Sequence, residues 1–282
     1  MNAVGDATMT AAEALEACIA RIDATDGEVN AFTRKSYARA RAEAAAIDAR
    51  RARGETLGPL AGVPYAVKNL FDIAGEVTLA GSKVNRGHAP ATSDAFLVQR
   101  MQAAGAVLVG SLNMDEYAYG FTTENTHYGP CRNPHDLTRI AGGSSGGSGA
   151  AVAAGQVPVT LGSDTNGSIR VPSSLCGVWG LKPTFGRLSR RGSYPFVHSV
   201  DHLGPFADSV QRLAAVYDAL QSPDPLDAGC HATAIEPTVA SLSQGTKGLR
   251  IGLLGGYFHD NATPPAREVA RAAARVLDVI EI

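Results

Sequence analysis

Two glycine-rich turns that contain serine are the part of this chain most suited to chemistry. The first, residues 142–149, reads GGSSGGSG, and the second reads DTNGS and ends at Ser168. A serine hydroxyl is a weak nucleophile at neutral pH, so it needs a nearby base and donors for the developing oxyanion. Asn and Gly tolerate left-handed backbone, so a tight turn would present successive N–H groups beside that hydroxyl. This pattern makes Ser168 a candidate nucleophile, with Thr165, Asn166 and Gly167 as the candidate oxyanion- and substrate-binding turn.

Other interpretations of these turns stay open on the residues alone. A Gly/Ser linker is one, although the run is short and leads directly into the helix-forming, apolar residues 150–154. A phosphate-binding loop is another, but no lysine follows the glycines as the Walker pattern requires, and the G-x-G-x-x-G spacing is also absent. A serine in a glycine-containing turn is most often structural, so the turn around Ser168 does not identify a nucleophile by itself.

The remaining titratable residues favour structural roles. We expect no metal and no cofactor, because no HExxH or CxxC spacing occurs among the seven histidines and four cysteines. Single carboxylates beside tight turns usually cap backbone amides, which is the role we expect for Asp115 and Asp164. Arg170, two residues after Ser168, is expected to pair with neighbouring carboxylates in preference to holding an anionic substrate.

The pattern of apolar residues predicts an α/β fold. Thr10 and Glu13 form a capping-box pattern that begins an amphipathic helix over residues 11–24. An alanine- and arginine-rich helix follows from Ser36 to Arg53. Beyond it, strands alternate with helices, which indicates a largely parallel or mixed sheet. The strands are expected at 63–67, 106–109, 157–161 and 250–254, and the helices at 93–104, 208–220 and 264–279. We predict an N-terminal helical segment (1–56) and a core (57–282).

Composition narrows the class of protein further. The chain has 282 residues, 45% of them hydrophobic, and a formal net charge of −2, so nothing in its charge favours nucleic acid or an anionic membrane as a partner. No stretch reaches the ~18 apolar residues of a membrane span, and the first residues lack a secretory-signal pattern. The widely separated cysteines indicate reduced thiols in a reducing compartment, so the cytoplasm is the expected location. A strand pattern that begins at Val279 leads us to expect that the C-terminal part of the fold is missing here.

Five stretches together carry a specific resemblance. The sequence resembles the amidase signature family, whose hallmarks are a GGSSGGS segment and a GSDTxGSIRxPxxxCGxxGLKPT segment. These correspond to Gly142–Ser148 and Gly162–Thr184, and the similarity extends to Gly62–Asn69, Asn113–Glu116 and Asp201–Pro205. The resemblance therefore covers most of the chain. It implies a central mixed β-sheet flanked by helices.

The resemblance also implies a mechanism. Matched by position, the family's Ser–Ser–Lys triad comprises Ser168 as nucleophile, Ser144 as the middle serine after a cis peptide bond, and Lys68 as base. Lys68 must be neutral to act as a base, which requires burial or a cationic neighbour. Without the resemblance, a lysine that ends an apolar strand is usually a solvated cap. The expected reaction is amide hydrolysis through an acyl-enzyme, with release of ammonia or a small amine.

Two branches of the family are most similar. Residues 113–128 and 190–197, together with Asn166, are similar to the branch that hydrolyses 1-carboxybiuret, a linear ureide. The glutaminase subunit of aminoacyl-tRNA amidotransferases is the alternative, and an inactive member of the family is a third interpretation. The expected partners are a small-molecule amide and a small protein subunit, with homo-oligomers left open, and no direct contact with nucleic acid or membrane.

Overall fold

The computed structural model describes residues 9–231, 233–246, 248–277 and 280–281. It divides the chain into two compact units, Met1–Val239 and Ala240–Ile282. The boundary expected from the sequence, between residues 56 and 57, remains a prediction. Among the described residues, no helix is long and apolar enough to cross a membrane.

Helices and strands alternate along the first unit, as the sequence predicts. The helices over the whole described chain are α1 (Ala11–Val29), α2 (Tyr37–Ala52), α3 (Phe96–Ala103), α4 (Gly146–Ala153), α5 (Arg170–Cys176), α6 (Val210–Leu220), α7 (Thr238–Ser241), α8 (Tyr257–Asp260) and α9 (Pro264–Val276). The strands are β1 (Phe32–Lys35), β2 (Pro64–Lys68), β3 (Val107–Leu112), β4 (Glu124–Asn125), β5 (Gly129–Pro130), β6 (Arg132–Asn133), β7 (Asp136–Ile140), β8 (Val159–Asp164), β9 (Trp179–Gly180), β10 (His202–Ala207), β11 (Gly252–Leu253) and β12 (Ile280–Glu281).

A six-stranded mixed sheet organises the first unit. Its strand order is β1-β3-β2-β8-β10-β9. The central strands β3, β2 and β8 run parallel, whereas β1, β10 and β9 are antiparallel to their neighbours. The mixed sheet with flanking helices confirms the predicted fold class. Because the carboxyl ends of β2, β3 and β8 lie at one edge, the residues that end these strands are brought together there.

The predicted N-terminal helices form for the reasons that the sequence gives. Thr10 Oγ1 accepts the Glu13 N–H at 3.1 Å, and Glu13 Oε2 accepts the Thr10 N–H at 2.8 Å, so the capping box is complete. Helix α1 buries Leu15, Ile19 and Ile22 on one face. These three side chains belong to an apolar cluster, to which helix α2 contributes small side chains such as Ala40. This close packing matches the alanine-rich face of α2.

Side chains on β2 alternate between the two faces of the sheet. Tyr65 and Val67 join the apolar cluster of α3 and α6, whereas Ala66 joins the cluster of α1, α2 and α4. A strand directs successive side chains to opposite faces. Lys68, two residues after Ala66, therefore points to the face that α4 covers.

Several predicted elements differ from the structure at their ends. Helix α4 begins at Gly146, inside the glycine run and before the apolar residues at 150–154 where the sequence predicts a helix. In the second unit, the helix predicted over residues 264–279 is α9, which ends at Val276. Strand β12 begins at Ile280 and pairs in parallel with β11. The predicted strand start at Val279 lies outside the described residues.

Candidate active site

A buried lysine lies at the carboxyl edge of the sheet. Lys68 is the last residue of β2, and its side chain is fully buried. Its Nζ donates hydrogen bonds to Ser144 Oγ at 2.7 Å and to Ser163 Oγ at 2.9 Å. The solvated-cap interpretation of this lysine is therefore wrong. The side chain instead points to two hydroxyl groups inside the protein.

Burial changes the protonation of this lysine. Removing the ammonium from water lowers the pKa of Lys68 from 10.5 to about 7. The negative charges of Asp115, Asp164 and Asp201 oppose this shift, so desolvation has the larger effect. A large fraction of Lys68 is consequently neutral near pH 7, and a neutral amine can accept a proton.

The glycine-rich run supplies the hydroxyl nearest to Lys68. The peptide bond between Gly143 and Ser144 is cis, as the family resemblance implies. The Ser144 carbonyl accepts the Asp115 N–H at 3.2 Å, which ties this run to the loop after β3. Ser145 Oγ donates to the Ser163 carbonyl at 3.0 Å and so fixes the run to β8. The Ser144 hydroxyl is thereby held over the end of the sheet, beside Lys68.

Close approach of α4 explains why the run needs glycine. A Cβ atom on Gly147 would lie 2.6 Å from the backbone of Asn113. Since real Cβ atoms do not approach backbone atoms so closely, a larger residue would push α4 away from the sheet. This packing also explains why the helix begins within the glycines, although glycine disfavours helix by about 1 kcal/mol per residue.

The Asp164 carboxylate organises the turn that carries Ser168. It accepts the N–H groups of Gly167 at 2.7 Å and Ile169 at 3.1 Å. Arg170 binds the same carboxylate through Nε at 3.0 Å and Nη2 at 2.9 Å. Burial acts to raise the pKa of Asp164, but the Arg170 and amide hydrogen bonds hold it below its usual value. The amide-capping role expected for Asp164 and the carboxylate-pairing role expected for Arg170 are both confirmed.

Gly167 takes a backbone conformation that other residues rarely adopt. Its φ is 135°, and a Cβ atom there would lie 3.2 Å from Val171. Its amide closes the turn onto Asp164. In this structure, the N–H of Gly167 is therefore engaged within the turn.

Ser168 lies beside a cavity of about 350 Å³. This volume falls in the range of small-molecule sites. The Ser168 residue is 5% exposed, and its hydroxyl makes no hydrogen bond with Lys68 or Ser144 in the part of the chain that the structure describes. The other residues around the cavity are mainly apolar and aromatic, with two from the Ser168 turn: Ala118, Tyr119, Gly120, Phe121, Thr165, Asn166 and Phe196.

Two residues of the site were not predicted from the sequence. Ser163 accepts a hydrogen bond from Lys68, and it lies at the end of β8, next to β2. A search of the ends of neighbouring parallel strands would have found it once the strand order was known. The Asp201 carboxylate accepts the Thr165 hydroxyl at 2.5 Å, across 36 residues of sequence. No local pattern predicts that contact.

Asp115 caps backbone amides, as the sequence predicts. Its carboxylate accepts the Thr123 N–H at 3.0 Å. Burial raises the pKa of Asp115 above its usual value. Among the described residues, no group of three or more histidine, cysteine, aspartate or glutamate side chains is arranged to hold a metal ion. The four cysteines are free thiols, namely Cys18, Cys131, Cys176 and Cys230.

The described site therefore combines a mixed sheet, a buried lysine that is hydrogen-bonded to a serine, and a second serine in a tight turn beside a cavity. A model of the Amidase family matches residues 13–281, so the chain belongs to this family.

Several known proteins are similar to the chain. AtzE of Pseudomonas sp. (strain ADP), a 1-carboxybiuret hydrolase subunit, is 69% identical over 282 residues, which cover 100% of this chain and 62% of that protein. A glutamyl-tRNA(Gln) amidotransferase subunit of Anaeromyxobacter sp. (strain K) is 50% identical over 265 residues, 94% of this chain and 54% of that protein. The chain thus spans about 54–62% of the length of these relatives.

One solved structure agrees closely with the fold. It is described as a vestigial protein complex that reveals the evolutionary origins of an s-triazine catabolic enzyme. The TM-score is 0.96 at 71% sequence identity, over 97% of this chain and 60% of that one. The family resemblance drawn from the sequence is therefore confirmed, and so is its similarity to the 1-carboxybiuret hydrolase branch.

Proposed function

We propose that the chain carries the catalytic centre of an amide hydrolase that acts on a small linear amide or ureide such as 1-carboxybiuret. The observation that carries this proposal is the 2.7 Å hydrogen bond from a fully buried Lys68, with a pKa of about 7, to Ser144. A base with a pKa near the working pH is the most effective general base. The 69% identity to a 1-carboxybiuret hydrolase subunit supports the choice of substrate.

The proposed first half-reaction begins with neutral Lys68. Lys68 takes the proton of the Ser144 hydroxyl while Ser144 takes the proton of Ser168. The Ser168 oxygen then bonds to the amide carbon, and the carbonyl oxygen becomes an oxyanion. Thr165 and Asn166, at the cavity wall, stabilise that oxyanion. Gly167 contributes the turn conformation, because its own amide donates to Asp164.

Breaking the C–N bond completes acylation, and hydrolysis of the acyl-enzyme then restores the serine. The proton held on Lys68 returns through Ser144 to the departing nitrogen, so the C–N bond breaks and ammonia leaves. A water molecule then attacks the acyl-enzyme and gives one proton to the same relay, which returns it to the Ser168 oxygen as the bond to the acyl carbon breaks and the acid leaves. Serine–lysine pairing of this kind is a variant of the Ser-His-Asp triad.

A fluorophosphonate probe tests the nucleophile. We expect stoichiometric labelling of the wild-type chain, with the adduct on Ser168, and no labelling of Ser168→Ala. Ser174→Ala is the matched control, because Ser174 is an exposed serine on the helix that follows the turn, and this variant should label like the wild type. Labelling that persists in Ser168→Ala would refute the assignment, and a wild-type chain that never labels would favour the inactive-member interpretation.

A second candidate function is the glutaminase activity of a tRNA-dependent amidotransferase. The 50% identity to a glutamyl-tRNA(Gln) amidotransferase subunit favours it. Ammonia release measured with 1-carboxybiuret and with glutamine as separate substrates distinguishes the two. Release from glutamine alone would replace the proposed substrate.

The relative whose structure is described as a protein complex supports one further proposal. We propose that this chain also acts with a small partner subunit. Co-expression with neighbouring reading frames, followed by mass measurement of the purified particle, tests this, and a particle of one chain with full activity would contradict it. The cytoplasmic location remains a prediction.

A further inference from the structure

The Asp201–Pro205 stretch belongs to the family pattern, yet the proposed mechanism gives Asp201 no part. Asp201 directly precedes β10 and is 9% exposed. Its Oδ2 accepts the N–H groups of Phe196 at 2.8 Å and Val197 at 2.9 Å. The Asp201 N–H donates to the Val197 carbonyl at 2.9 Å. The carboxylate thus closes the loop of residues 196–201 on itself.

The same carboxylate also reaches the turn that carries Ser168. Oδ1 of Asp201 accepts the Thr165 hydroxyl at 2.5 Å. Thr165 and Phe196 both line the cavity beside Ser168, and the Phe196 ring packs against Tyr119 with centroids 5.7 Å apart. One buried group therefore holds a polar wall and an aromatic wall of the cavity at once.

We infer that Asp201 is a positioning residue: its carboxylate holds the Thr165 turn and the Phe196 loop in register around Ser168. This inference rests on the proposed function. All the hydrogen bonds that Asp201 accepts here come from neutral donors, namely two backbone amides and one hydroxyl. Its negative charge therefore acts on the site as well as its geometry.

The negative charge of Asp201 acts to raise the pKa of Lys68. The carboxylates that act on Lys68 are Asp115, Asp164 and Asp201, of which Asp164 is paired with Arg170. Each of the three favours the charged lysine. Removing the charge of Asp201 consequently favours the neutral lysine. The acid limb of the pH–rate profile, where the rate falls as the lysine becomes protonated, should therefore move to lower pH.

The test compares Asp201→Asn with a matched control. Asp26 is also 9% exposed, and its carboxylate accepts two successive backbone amides, those of Ala31 and Phe32, but it is not among the groups that act on Lys68. The measurement is the rate of Ser168 labelling by a fluorophosphonate, followed by intact mass from pH 5.5 to 9. Thermal unfolding of each variant verifies that it is folded.

We expect two changes in Asp201→Asn and neither in Asp26→Asn. The plateau rate should fall at least tenfold, because misplacing a reacting group by about 1 Å costs up to about a hundredfold. At pH 6 the wild-type rate should be about a tenth of its plateau, given a lysine pKa of about 7. At the same pH, Asp201→Asn should label at about a fifth or more of its own plateau rate, although that plateau is lower than the wild-type one.

A second variant separates geometry from charge. Thr165→Val removes the hydroxyl contact and keeps the carboxylate, so it should lower the plateau and leave the acid limb in place. An acid limb in Asp201→Asn at the wild-type position would overturn the inference, as would equal losses in Asp201→Asn and Asp26→Asn. If the wild type does not label at all, the proposed function fails first and the inference fails with it; the other negative outcomes leave the proposed function standing.

Discussion

Replacing Lys68 with methionine measures the cost of burying the candidate base. Methionine is similar in length and carries no charge. In the folded protein the pKa of Lys68 is about 7, whereas the usual value is 10.5. Since one pKa unit corresponds to about 1.4 kcal/mol, folding with Lys68 charged costs about 5 kcal/mol more than folding with it neutral.

The sign of the pH dependence follows from proton binding. Below pH 7 the lysine is protonated in the folded and unfolded states, so the full cost of burial is present. Between pH 7 and 10.5 the folded state loses the proton first, and the unfolded state binds more protons. Wild-type stability therefore rises with pH in this window, by about 1.4 kcal/mol per pH unit. The Lys68→Met variant lacks this contribution.

The assay is urea unfolding of both proteins at pH 7.5, 8.5 and 9.5. Other titrating groups contribute equally to both proteins, so the difference in unfolding free energy isolates Lys68. Loss of the hydrogen bonds to Ser144 and Ser163 adds a constant of about 1–3 kcal/mol each. From pH 7.5 to 9.5, we expect the difference to shift by about 3 kcal/mol in favour of the wild type. Lys83→Met, at an exposed position, is the control for removing one positive charge. A difference that stays constant over this range would refute the lowered pKa.

Two further substitutions test the surroundings of the base and the nucleophile. Ser163→Ala removes one acceptor of the Lys68 ammonium or amine, so turnover should fall about tenfold in a steady-state ammonia assay, while Ser163→Thr keeps the hydroxyl and should retain most activity. Gly167→Ala forces a φ of 135° on a residue with a Cβ atom, so we expect a loss of about 1–3 kcal/mol in thermal unfolding and slower labelling of Ser168. Wild-type stability in Gly167→Ala would show that the turn conformation is not required.

Local patterns predict the elements of this fold better than they predict its contacts. The capping box before α1 and the apolar periodicity of α1 are properties of neighbouring residues, and both are found as predicted. Strand β10 was not predicted, because Gly204 and Pro205 are signals that usually mark loops. Antiparallel pairing with β8, a central strand of the sheet, supplies its backbone hydrogen bonds.

The candidate site shows the same limit. The type and spacing of residues make Ser168 one candidate for a nucleophile, and the family resemblance selects it together with Ser144 and Lys68. Neither can establish that Lys68 is fully buried, since burial depends on how closely α4 packs on the sheet. The contact between Asp201 and Thr165 forms only because the chain returns to the Ser168 turn 36 residues later. No short sequence pattern can predict such a contact.

The hydroxyl partners of Lys68 are compatible with the proposed role of this lysine as a base. A carboxylate at the position of Ser144 or Ser163 would stabilise the ammonium and raise the pKa of Lys68. Hydroxyl groups accept a hydrogen bond from the lysine and also donate one, so they satisfy the neutral amine as well as the charged form. This property fits the proton transfer that we propose for Ser144. The carboxylates Asp115, Asp164 and Asp201 instead bind backbone amides, a hydroxyl or an arginine, so they shape the site while the pKa of Lys68 stays about 7.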